Sequence, residues 1–488
     1  MKLKMLCSAL AGASLLLSAC GGSDGSSAAA PTKNVLFFLG DGMGITTMTA
    51  ARIYSVGEDG ELTMDKLPET AFVHTFSNDA QVTDSAPSMA AYMTGVKMNN
   101  EVISMTPDTK ATDAAGKAYH TNYDSTCPSG NGQAVPTLLE QMKSAGYGTG
   151  VVSTARITHA TPATTYSHVC HRDAENTIAA ALVPGGSGYN SKLGDGVDVI
   201  LGGGSYYFTP KADGGRRNDS RNLIAEFKTQ KYSYAANKSE FDKLPVDGSK
   251  IAGLFTKDHM AYDLDRDATK EPSLAEMTGK AIDALSAKKK GFFLMVEGGR
   301  IDHALHATNA RRALQDTVAF DNAIQTALDK MAKLDPGLKN TLIVVTADHD
   351  HNMVFNGYSK IGNPILGKVQ DYQTGQMAKA QDGKPYTTLA FGNGGRPNAT
   401  ASSQVNAEDG NKPWIAPTRG ASRDDVTAVD TTDDNYLQEV GLNLGTPGSE
   451  THGGGDVMLF AGGAGAKIFK GTMDNTKVFS KVREAAGL

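Results

Sequence analysis

Basic clusters and long apolar runs are both missing from most of this chain of 488 residues. Its 47 lysine and arginine residues are spread along the sequence and are outnumbered by 53 acidic residues, which gives a net charge of −6. Without a basic cluster, the sequence shows no sign of a nucleic-acid-binding surface. Beyond the N-terminal segment, no apolar run is long enough to cross a membrane. An acidic protein that handles anions must create positive potential locally, with metal ions or a few arginines.

Cysteine is also rare, with four residues in all, and tryptophan occurs once. Cys7 and Cys20 belong to the N-terminal segment, so the remainder of the chain contains only Cys127 and Cys170. In an oxidising compartment these two can pair, and free thiols are the alternative. At most one disulfide is therefore expected in the folded part.

The first 19 residues have the composition of an export signal. Two lysines precede an apolar run that ends at Leu17 and is too short to span a bilayer. Residues 17–20, Leu-Ser-Ala-Cys, resemble the lipobox of bacterial lipoproteins, with a plain signal cut elsewhere as the alternative. Residues 20–32 then form a tether rich in Gly, Ser and Ala. We expect an exported protein, periplasmic or on the cell surface, with its lipid on Cys20 and, because Gly21 follows, in the outer membrane.

Short apolar runs recur along the rest of the chain, with helical stretches between them. The runs do not alternate apolar with polar residues, which is typical of strands buried on both faces of a mostly parallel sheet. Two amphipathic helices are also predicted, one starting at Pro272 and one from about Asn309 to Lys333. We predict an α/β fold in which residues 33–488 form one large domain. The predicted strands include residues 35–39, 150–153, 197–201, 292–296, 342–345 and 457–460.

Two stretches interrupt this rhythm. Residues 205–250 are polar with scattered aromatic side chains, and residues 353–450 are rich in Gly, Asn, Asp, Thr and Pro. Segments this long without a clear pattern are usually functional or inserted. We interpret residues 353–450 as an inserted cap beside the active site or as a dimer contact.

A hydroxyl group stands at the predicted start of a helix in residues 83–89, Thr-Asp-Ser-Ala-Pro-Ser-Met. Pro87 fits the first helical turn, which needs no backbone donor from it. Ser85 would then face unpaired N–H groups and the positive pole of the helix, an environment that favours a phosphate-bearing adduct. The alternative is that Asp84 and Ser85 serve only to cap the helix.

Acidic and imidazole side chains follow three of the predicted strands. Sites in open α/β sheets form beyond the carboxyl ends of strands, so this placement suits ligands, although an acid among glycines also occurs in plain turns. Asp302 and His306 are four residues apart, which on a helix puts both on one face and within reach of one ion. The residues that follow the strands are Asp41 after the first, Glu297, Asp302 and His306 after residues 292–296, and Asp348 and His349 after residues 342–345.

His452 precedes the last predicted strand, residues 457–460, instead of following it. In a parallel sheet, a residue before a strand lies at the edge opposite to the residues that follow the neighbouring strands. Either the loop that carries His452 returns across the sheet, or the strand runs antiparallel.

Six motifs resemble those of the alkaline phosphatase family and occur in the family's order over nearly the whole mature chain. They are Asp41-Gly-Met-Gly, Thr83-Asp-Ser-Ala, His159-Ala-Thr-Pro with Arg172, Val296-Glu-Gly-Gly-Arg-Ile-Asp-His, Thr346-Ala-Asp-His and Thr451-His-Gly-Gly. The windows around Glu297 and His452 look closer to the animal enzymes than to the best-known bacterial one. The resemblance implies a homodimeric three-layer αβα fold that hydrolyses phosphate monoesters through a phosphoserine, with two zinc ions and one magnesium ion.

The same resemblance implies a role for each matching residue. Ser85 would be the nucleophile, and Arg172 would clamp the phosphate with its planar fork. Imidazole ligands suit zinc, whereas an all-oxygen set suits magnesium. The implied ligands are Asp302, His306 and His452 for the first zinc, Asp41, Asp348 and His349 for the second, and Asp41, Thr161 and Glu297 for magnesium.

Four further polar residues are expected to act around these ligands. His159 and His303 match the animal pattern and would act through water, His351 would be similar, and Asp84 would orient Arg172. The extra calcium site of animal members is not predicted, because Thr256 stands where an acid is expected after Phe255.

Three other interpretations stay open. A sulfatase would continue Ser85-Ala-Pro-Ser with an arginine, and Met89 at that position argues against it. A phosphodiesterase of the same superfamily would need space for a second ester group. A lipid-anchored protein that only binds phosphate or metal would have no need of an activated serine.

Overall fold

The computed structural model describes residues 32–395, 404–406, 412–414 and 423–488. The predicted signal, the lipid-bearing Cys20 and nearly all of the tether lie outside these residues. Within them, the central feature is a ten-stranded sheet, whose strands we number along the chain. They are β1 Asn34–Gly40, β2 Glu69–His74, β3 Gly148–Arg156, β4 Val199–Gly203, β5 Ser233–Ala235, β6 Ile251–Leu254, β7 Phe292–Gly298, β8 Thr341–Ala347, β9 Val457–Gly463 and β10 Gly471–Asp474.

The sheet is mostly parallel, as predicted. Its spatial order is β10-β2-β9-β8-β1-β7-β3-β4-β6-β5. β1 lies in the middle and pairs in parallel with both β7 and β8. β9 is the exception, because it runs antiparallel to both of its neighbours, β8 and β2. The carboxyl ends of β1, β7 and β8 therefore meet at one edge of the sheet.

The burial of the central strands explains their sequences. All seven residues of β7 and of β8 are buried, as are six of the seven in β1. Strands covered on both faces have no polar side to present, which is why their residues form apolar runs without alternation. The six strands predicted from such runs are all confirmed.

Helices surround the sheet, which gives the predicted αβα architecture. One group packs along α10, and a second group packs around α2. The helix predicted at Pro272 begins two residues later, because Ser273 caps it in a reciprocal pair of bonds with Glu276. The helices are α1 Ile45–Val56, α2 Ser85–Thr94, α3 Leu138–Ser144, α4 Ala160–Ala163, α5 Glu175–Ala181, α6 Leu223–Thr229, α7 Lys238–Asp242, α8 Leu274–Ser286, α9 Arg300–His306, α10 Ala310–Leu334 and α11 Asn475–Ala486.

The two stretches without a clear pattern differ in the structure. Residues 205–250 contain α6, α7 and the edge strand β5, so they extend the central sheet. Residues 353–450 contribute no strand to that sheet among their described residues. They form a separate three-stranded sheet from Met353–Phe355, Leu389–Gly395 and Val440–Gly445.

Cys127 and Cys170 form a disulfide, with their Cα atoms 6.0 Å apart. The bond joins the loop after a short hairpin, His120–Thr121 with Asp124–Ser125, to the segment that leads into α5. Across the described part of the chain, none of the helices combines the length and the apolar character that a bilayer span requires.

Candidate active site

Ser85 is the first residue of α2, as the sequence predicts. Asp84 caps the helix, and its carboxylate accepts a hydrogen bond of 2.6 Å from the backbone N–H of Ala86. The Ser85 hydroxyl lies 3.2 Å from Nε2 of His349 and 3.4 Å from a carboxylate oxygen of Asp41. Asp84 therefore caps the helix, and the Ser85 hydroxyl faces His349 and Asp41 instead of capping the helix.

Three carboxylates, those of Asp41, Glu297 and Asp348, meet at the edge where the parallel strands end. They form one half of a cluster of acidic and imidazole side chains, and we call them the carboxylate half. Asp41 and Asp348 directly follow β1 and β8, and Glu297 is the penultimate residue of β7. All three side chains are completely buried. Their proximity is a direct result of the parallel pairing of β1 with both neighbouring strands.

Hydrogen bonds hold this half in place without neutralising it. The backbone N–H of Gly42 donates to Asp348 over 3.0 Å, and the hydroxyl of Thr161 donates to Asp41 over 3.3 Å. Ser153, which was not predicted, donates its hydroxyl hydrogen to Glu297. None of these donors carries a positive charge, so the negative charges of the half are not balanced by them.

Burial, followed by the neighbouring Asp41 carboxylate, raises the pKa of Glu297 and the pKa of Asp348 well above their usual range. Oδ2 of Asp348 accepts no hydrogen bond from any residue that the structure describes. Buried carboxylates that oppose each other's ionisation are typical of sites that hold a cation. The carboxylate half therefore fits a divalent metal ion.

The second half, which we call the imidazole half, consists of Asp302, His306 and His452. Asp302 and His306 lie one turn apart on α9, and Oδ1 of Asp302 is 3.3 Å from Nε2 of His306. The same oxygen is 3.5 Å from Nε2 of His452, and the two Nε2 atoms are 3.1 Å apart. The predicted helical spacing thus places both α9 residues at one point, and His452 joins them.

The protonation of the two imidazoles follows from their other ring nitrogens. Nδ1 of His306 lies 2.5 Å from the backbone carbonyl of Glu450, and Nδ1 of His452 lies 2.8 Å from that of Thr83. Because a carbonyl oxygen can only accept, each Nδ1 carries the hydrogen and each Nε2 presents a lone pair in the neutral ring. Two lone pairs and a carboxylate oxygen that converge in this way can hold a metal ion, and nitrogen and oxygen ligands of this kind suit zinc.

His452 reaches the cluster by both of the routes that the sequence left open. Strand β9 runs antiparallel to β8, so its start lies at the edge where β8 ends. The segment before it also turns back, since His452–Gly453 pairs with Asp350–His351 in a two-stranded ladder. The loop and the strand direction together bring His452 to α9.

His349 connects the two halves. Its Nε2 is 3.4 Å from oxygens of both Asp41 and Asp348. Its ring stacks on the ring of His452 at a centroid distance of 3.5 Å. The predicted ligand sets therefore form one continuous cluster, and Ser85 lies against its middle.

Arg172 borders the same cavity as Ser85. One of its guanidinium nitrogens donates to Asp84 over 3.2 Å, and another donates to Nε2 of His159 over 3.0 Å. Asp84 and His159 therefore both contact Arg172. The cavity, of about 270 Å³, lies between these groups and is bordered by Ser85, Arg172, His306 and His452, among others.

His303 and His351 occupy different positions around the cluster. Nε2 of His351 donates to Asp302 over 2.8 Å, and its Nδ1 donates to Glu450 over 2.6 Å. His303 also borders the cavity and packs against His259, with ring centroids 4.1 Å apart. His351 thus contacts a predicted ligand directly, whereas His303 belongs to a second group of imidazoles beside the cavity.

Sequence reasoning missed Glu450, Ser153 and His259. Glu450 is fully buried at its side chain and accepts from His351 and from the backbone N–H of Asn352 over 2.8 Å. Its position two residues before His452 was an available signal. Ser153 ends a predicted strand, but a serine there is too common to single out.

Comparisons with known sequences match this chain to one family. The sequence profile of the family described as alkaline phosphatase matches residues 32–488. An alkaline phosphatase of Gadus morhua is 35% identical over 474 residues, which cover 91% of this chain and 90% of the relative. The human tissue-nonspecific isozyme of alkaline phosphatase is 35% identical over 475 residues, covering 91% of this chain and 82% of the relative.

Solved structures show the same fold. An alkaline phosphatase of Thermus thermophilus superposes with a TM-score of 0.66 at 25% identity, covering 95% of this chain and 93% of the other. An alkaline phosphatase of the Antarctic bacterium TAB5 superposes with a TM-score of 0.61 at 23% identity, covering 94% and 98%.

Proposed function

Because the chain belongs to the alkaline phosphatase family, we propose that it hydrolyses phosphate monoesters to an alcohol and inorganic phosphate, with Ser85 as the nucleophile. The observation that carries this proposal is the position of the Ser85 hydroxyl. It starts a buried helix and lies within 3.4 Å of both His349 and Asp41, at the border of the cavity. A serine hydroxyl is a weak nucleophile unless its surroundings lower its pKa, and this cluster offers the means.

The ligand sets support two zinc ions and one magnesium ion. Bound there, the zinc ions would lower the pKa of the Ser85 hydroxyl and of water and would balance charge on the transferred phosphoryl group. The residues that would hold them are Asp302, His306 and His452 for one zinc, Asp41, Asp348 and His349 for the other, and Asp41, Thr161 and Glu297 for magnesium. Ser153 contributes to the magnesium set by holding Glu297.

The chain's own residues account for the remaining steps. The Ser85 oxygen attacks phosphorus and the bond from phosphorus to the ester oxygen breaks, so that a phosphoserine forms and the alcohol leaves with the proton that the Ser85 hydroxyl gives up. The N–H groups at the start of α2 favour the negative charge. Arg172 binds two phosphate oxygens with its planar fork, and Asp84 and His159 hold the fork in position. Water then attacks phosphorus from the side of the imidazole half, and the Ser85 oxygen leaves as the proton acceptor.

His303 and His351 support the cluster from outside the ligand sets. His351 fixes the orientation of Asp302 through a direct hydrogen bond, and Glu450 fixes His351 in turn. His303 borders the cavity and would act there through water. Such contacts commonly set ligand orientation and the acidity of bound water.

Export, lipid attachment at Cys20 and location in the outer membrane or at the cell surface are part of the same proposal. They rest on the composition of residues 1–32, nearly all of which lie outside the described part of the chain. A homodimer is also proposed, with residues 353–450 as a cap or contact surface. Tyr358 and Ile361 support this, because each exposes 81% of its surface in that segment.

Turnover of p-nitrophenyl phosphate tests the proposal. We expect the wild-type chain to hydrolyse this monoester much faster than a phosphate diester or a sulfate ester. The variant Ser85→Ala should lose at least about 10⁴-fold in kcat, as expected for removal of a nucleophile. Ser286→Ala, near the end of α8, is the matched control and should keep full activity. Equal rates for Ser85→Ala and the control would refute the proposal.

A further inference from the structure

A separate group of metal-ligand side chains, His120, His171 and Asp173, reaches the cavity through Asp173 and is used by none of the roles above. His120, His171 and Asp173 each bring one ligand atom to within 4.8 Å of the other two. Nε2 of His120 is 3.6 Å from a carboxylate oxygen of Asp173, and the two imidazole rings have centroids 4.6 Å apart. Asp173 also borders the cavity that Ser85 borders, so this residue places one edge of the group at the rim of the cavity.

Covalent and hydrogen-bonded connections hold the three residues in place. His120 begins the short hairpin, and the disulfide from Cys127 ends at Cys170, directly before His171. The hairpin is also bonded to α5, since the backbone N–H of Ser125 donates to the hydroxyl of Thr177 over 2.9 Å. Ligands that are already fixed lose little entropy when they bind an ion.

The donor set selects a particular kind of ion. Two imidazoles and one carboxylate suit zinc and the other late divalent metals of the first row, whereas magnesium and calcium prefer oxygen ligands only. Nδ1 of His120 is buried and has no hydrogen-bond partner among the described residues, so the ring can carry its hydrogen there and present a lone pair at Nε2. We propose that His120, His171 and Asp173 form a peripheral binding site for a divalent ion of the zinc type.

One contact limits the expected affinity. The backbone N–H of Asp173 donates to Nδ1 of His171 over 3.1 Å, and this hydrogen bond competes with ligation by that ring. With three protein ligands, the site also leaves a position for water or for an oxygen of a phosphate. We therefore expect it to bind more weakly than a closed site with four protein ligands.

The position of the site in the chain suggests what it does. Arg172, the proposed phosphate clamp, stands between His171 and Asp173, and its backbone N–H donates to the carbonyl of Glu101 over 2.8 Å. An ion at the site would offset the negative charge of Asp173 next to this clamp, which favours the entry of anions. This consequence rests on the proposed function, whereas metal binding itself does not.

Equilibrium dialysis of the full-length metal-loaded protein tests the site. Wild type, His120→Gln and Asp173→Asn would be dialysed against Zn²⁺ at a fixed excess of Mg²⁺, and bound metal would be counted by mass spectrometry. The matched control is His74→Gln, which removes an imidazole 3.8 Å from Asp456 in a pair without a second histidine. We expect wild type and control to bind one more zinc ion per chain than either rim variant.

Two outcomes would overturn the proposal. One is the same zinc content for wild type and for both rim variants, and the other is loss of the extra ion in the His74→Gln control as well. Because the Asp173 side chain is 56% exposed, Asp173→Asn is expected to fold and keeps the test decisive if His120→Gln disturbs the hairpin. Activity on a phosphate ester is measured separately, so failure of the proposed hydrolysis would not affect this count.

Discussion

The carboxylate half and the imidazole half of the cluster are built in different ways. In the first, Asp41, Glu297 and Asp348 leave the ends of adjacent parallel strands and are completely buried. In the second, the side chains come from α9 and from a returning loop, and those of His306 and His452 keep 23% and 12% of their surface exposed. One half is an extension of the central sheet, and the other is assembled on top of it.

This difference predicts in which half a bound metal ion stabilises the folded chain. The carboxylate half concentrates negative charge in the core, so the folded chain is stabilised when a cation binds there. The imidazole half consists mainly of imidazole rings whose orientation is fixed by the carbonyls of Thr83 and Glu450. We therefore expect ions in the first half to be tied to stability, and the ion in the second to exchange more readily.

The variant Asp41→Ala tests this difference between the two halves with the largest expected effect. Asp41 contacts both Ser85 and His349, and it accepts from Thr161, so its loss should cost two ions, whereas Asp302→Ala should cost one. Activity should fall by at least about 10³-fold, because each lost ion removes several kcal/mol of stabilisation and about 1.4 kcal/mol is tenfold in rate. Metal analysis beside kinetics checks this, and retention of all ions by Asp41→Ala would contradict it.

A smaller effect is expected from His452→Ala. It removes one lone pair from the imidazole half and leaves the carboxylate half complete, so one zinc ion should be lost and the melting temperature should change little. We expect kcat/KM to fall by about 10²-fold, the loss of a few kcal/mol of transition-state stabilisation. Calorimetry and metal analysis of the same sample test it. Loss of all ions together would show that the halves do not act separately.

The variant Glu450→Gln tests the hydrogen bonds that support the imidazole half. It weakens the chain of hydrogen bonds from Glu450 through His351 to Asp302, so zinc affinity there should fall by about 10–100-fold with the fold intact. The matched control is Glu439→Gln, a buried acid of the same segment that bonds to Arg423 over 3.2 Å. Competition with a chelator measures the zinc affinity of both variants. Equal affinities would show that the hydrogen bonds from Glu450 through His351 to Asp302 do not support zinc binding.

The smallest effect on the two halves concerns Glu101, a carboxyl group at the cavity that belongs to neither of them. Burial raises its pKa to about 7 from 4.5, while Arg172 opposes the shift and Asp84 adds to it. The folded chain therefore holds a proton between these values that the unfolded chain releases, so the free energy of unfolding falls as pH rises from about 4.5 to about 7.

The neutral variant Glu101→Gln should remove this part of the pH dependence. Above pH 7 we expect it to be more stable than wild type by about 3 kcal/mol, since the shift from 4.5 to about 7 is converted at about 1.4 kcal/mol per pKa unit. Urea unfolding at pH 5 and pH 8 measures the difference. If the free energies of unfolding of the variant and of wild type differ by the same amount at both pH values, Glu101 is not the source of this pH dependence.

The carboxylate half and α9 could be predicted from the sequence because their geometry is local. A residue just beyond a parallel strand lies at the site edge, and Asp302 and His306 share a helix face by their spacing. The path to His452 could not be decided, because it depends on β9 pairing with β8 across the sheet. No local pattern records such a pairing.

The residues that sequence reasoning missed act over long separations. Ser153 and Glu297 are 144 residues apart, and Glu450 and His351 are 99 apart. Strand β5 was also missed, because its three residues are too few to show a run. Each of these features depends on tertiary contacts, and none changes the periodicity of its own segment.

The most direct test of the account is to trap the intermediate. The metal-loaded protein would be mixed with a phosphate monoester at acidic pH, quenched in acid, digested and analysed by mass spectrometry. We predict one phosphoryl group on the peptide that contains Ser85, and none in Ser85→Ala. Hydrolysis of the ester without that modification, or a phosphoryl group on another residue, would contradict the account.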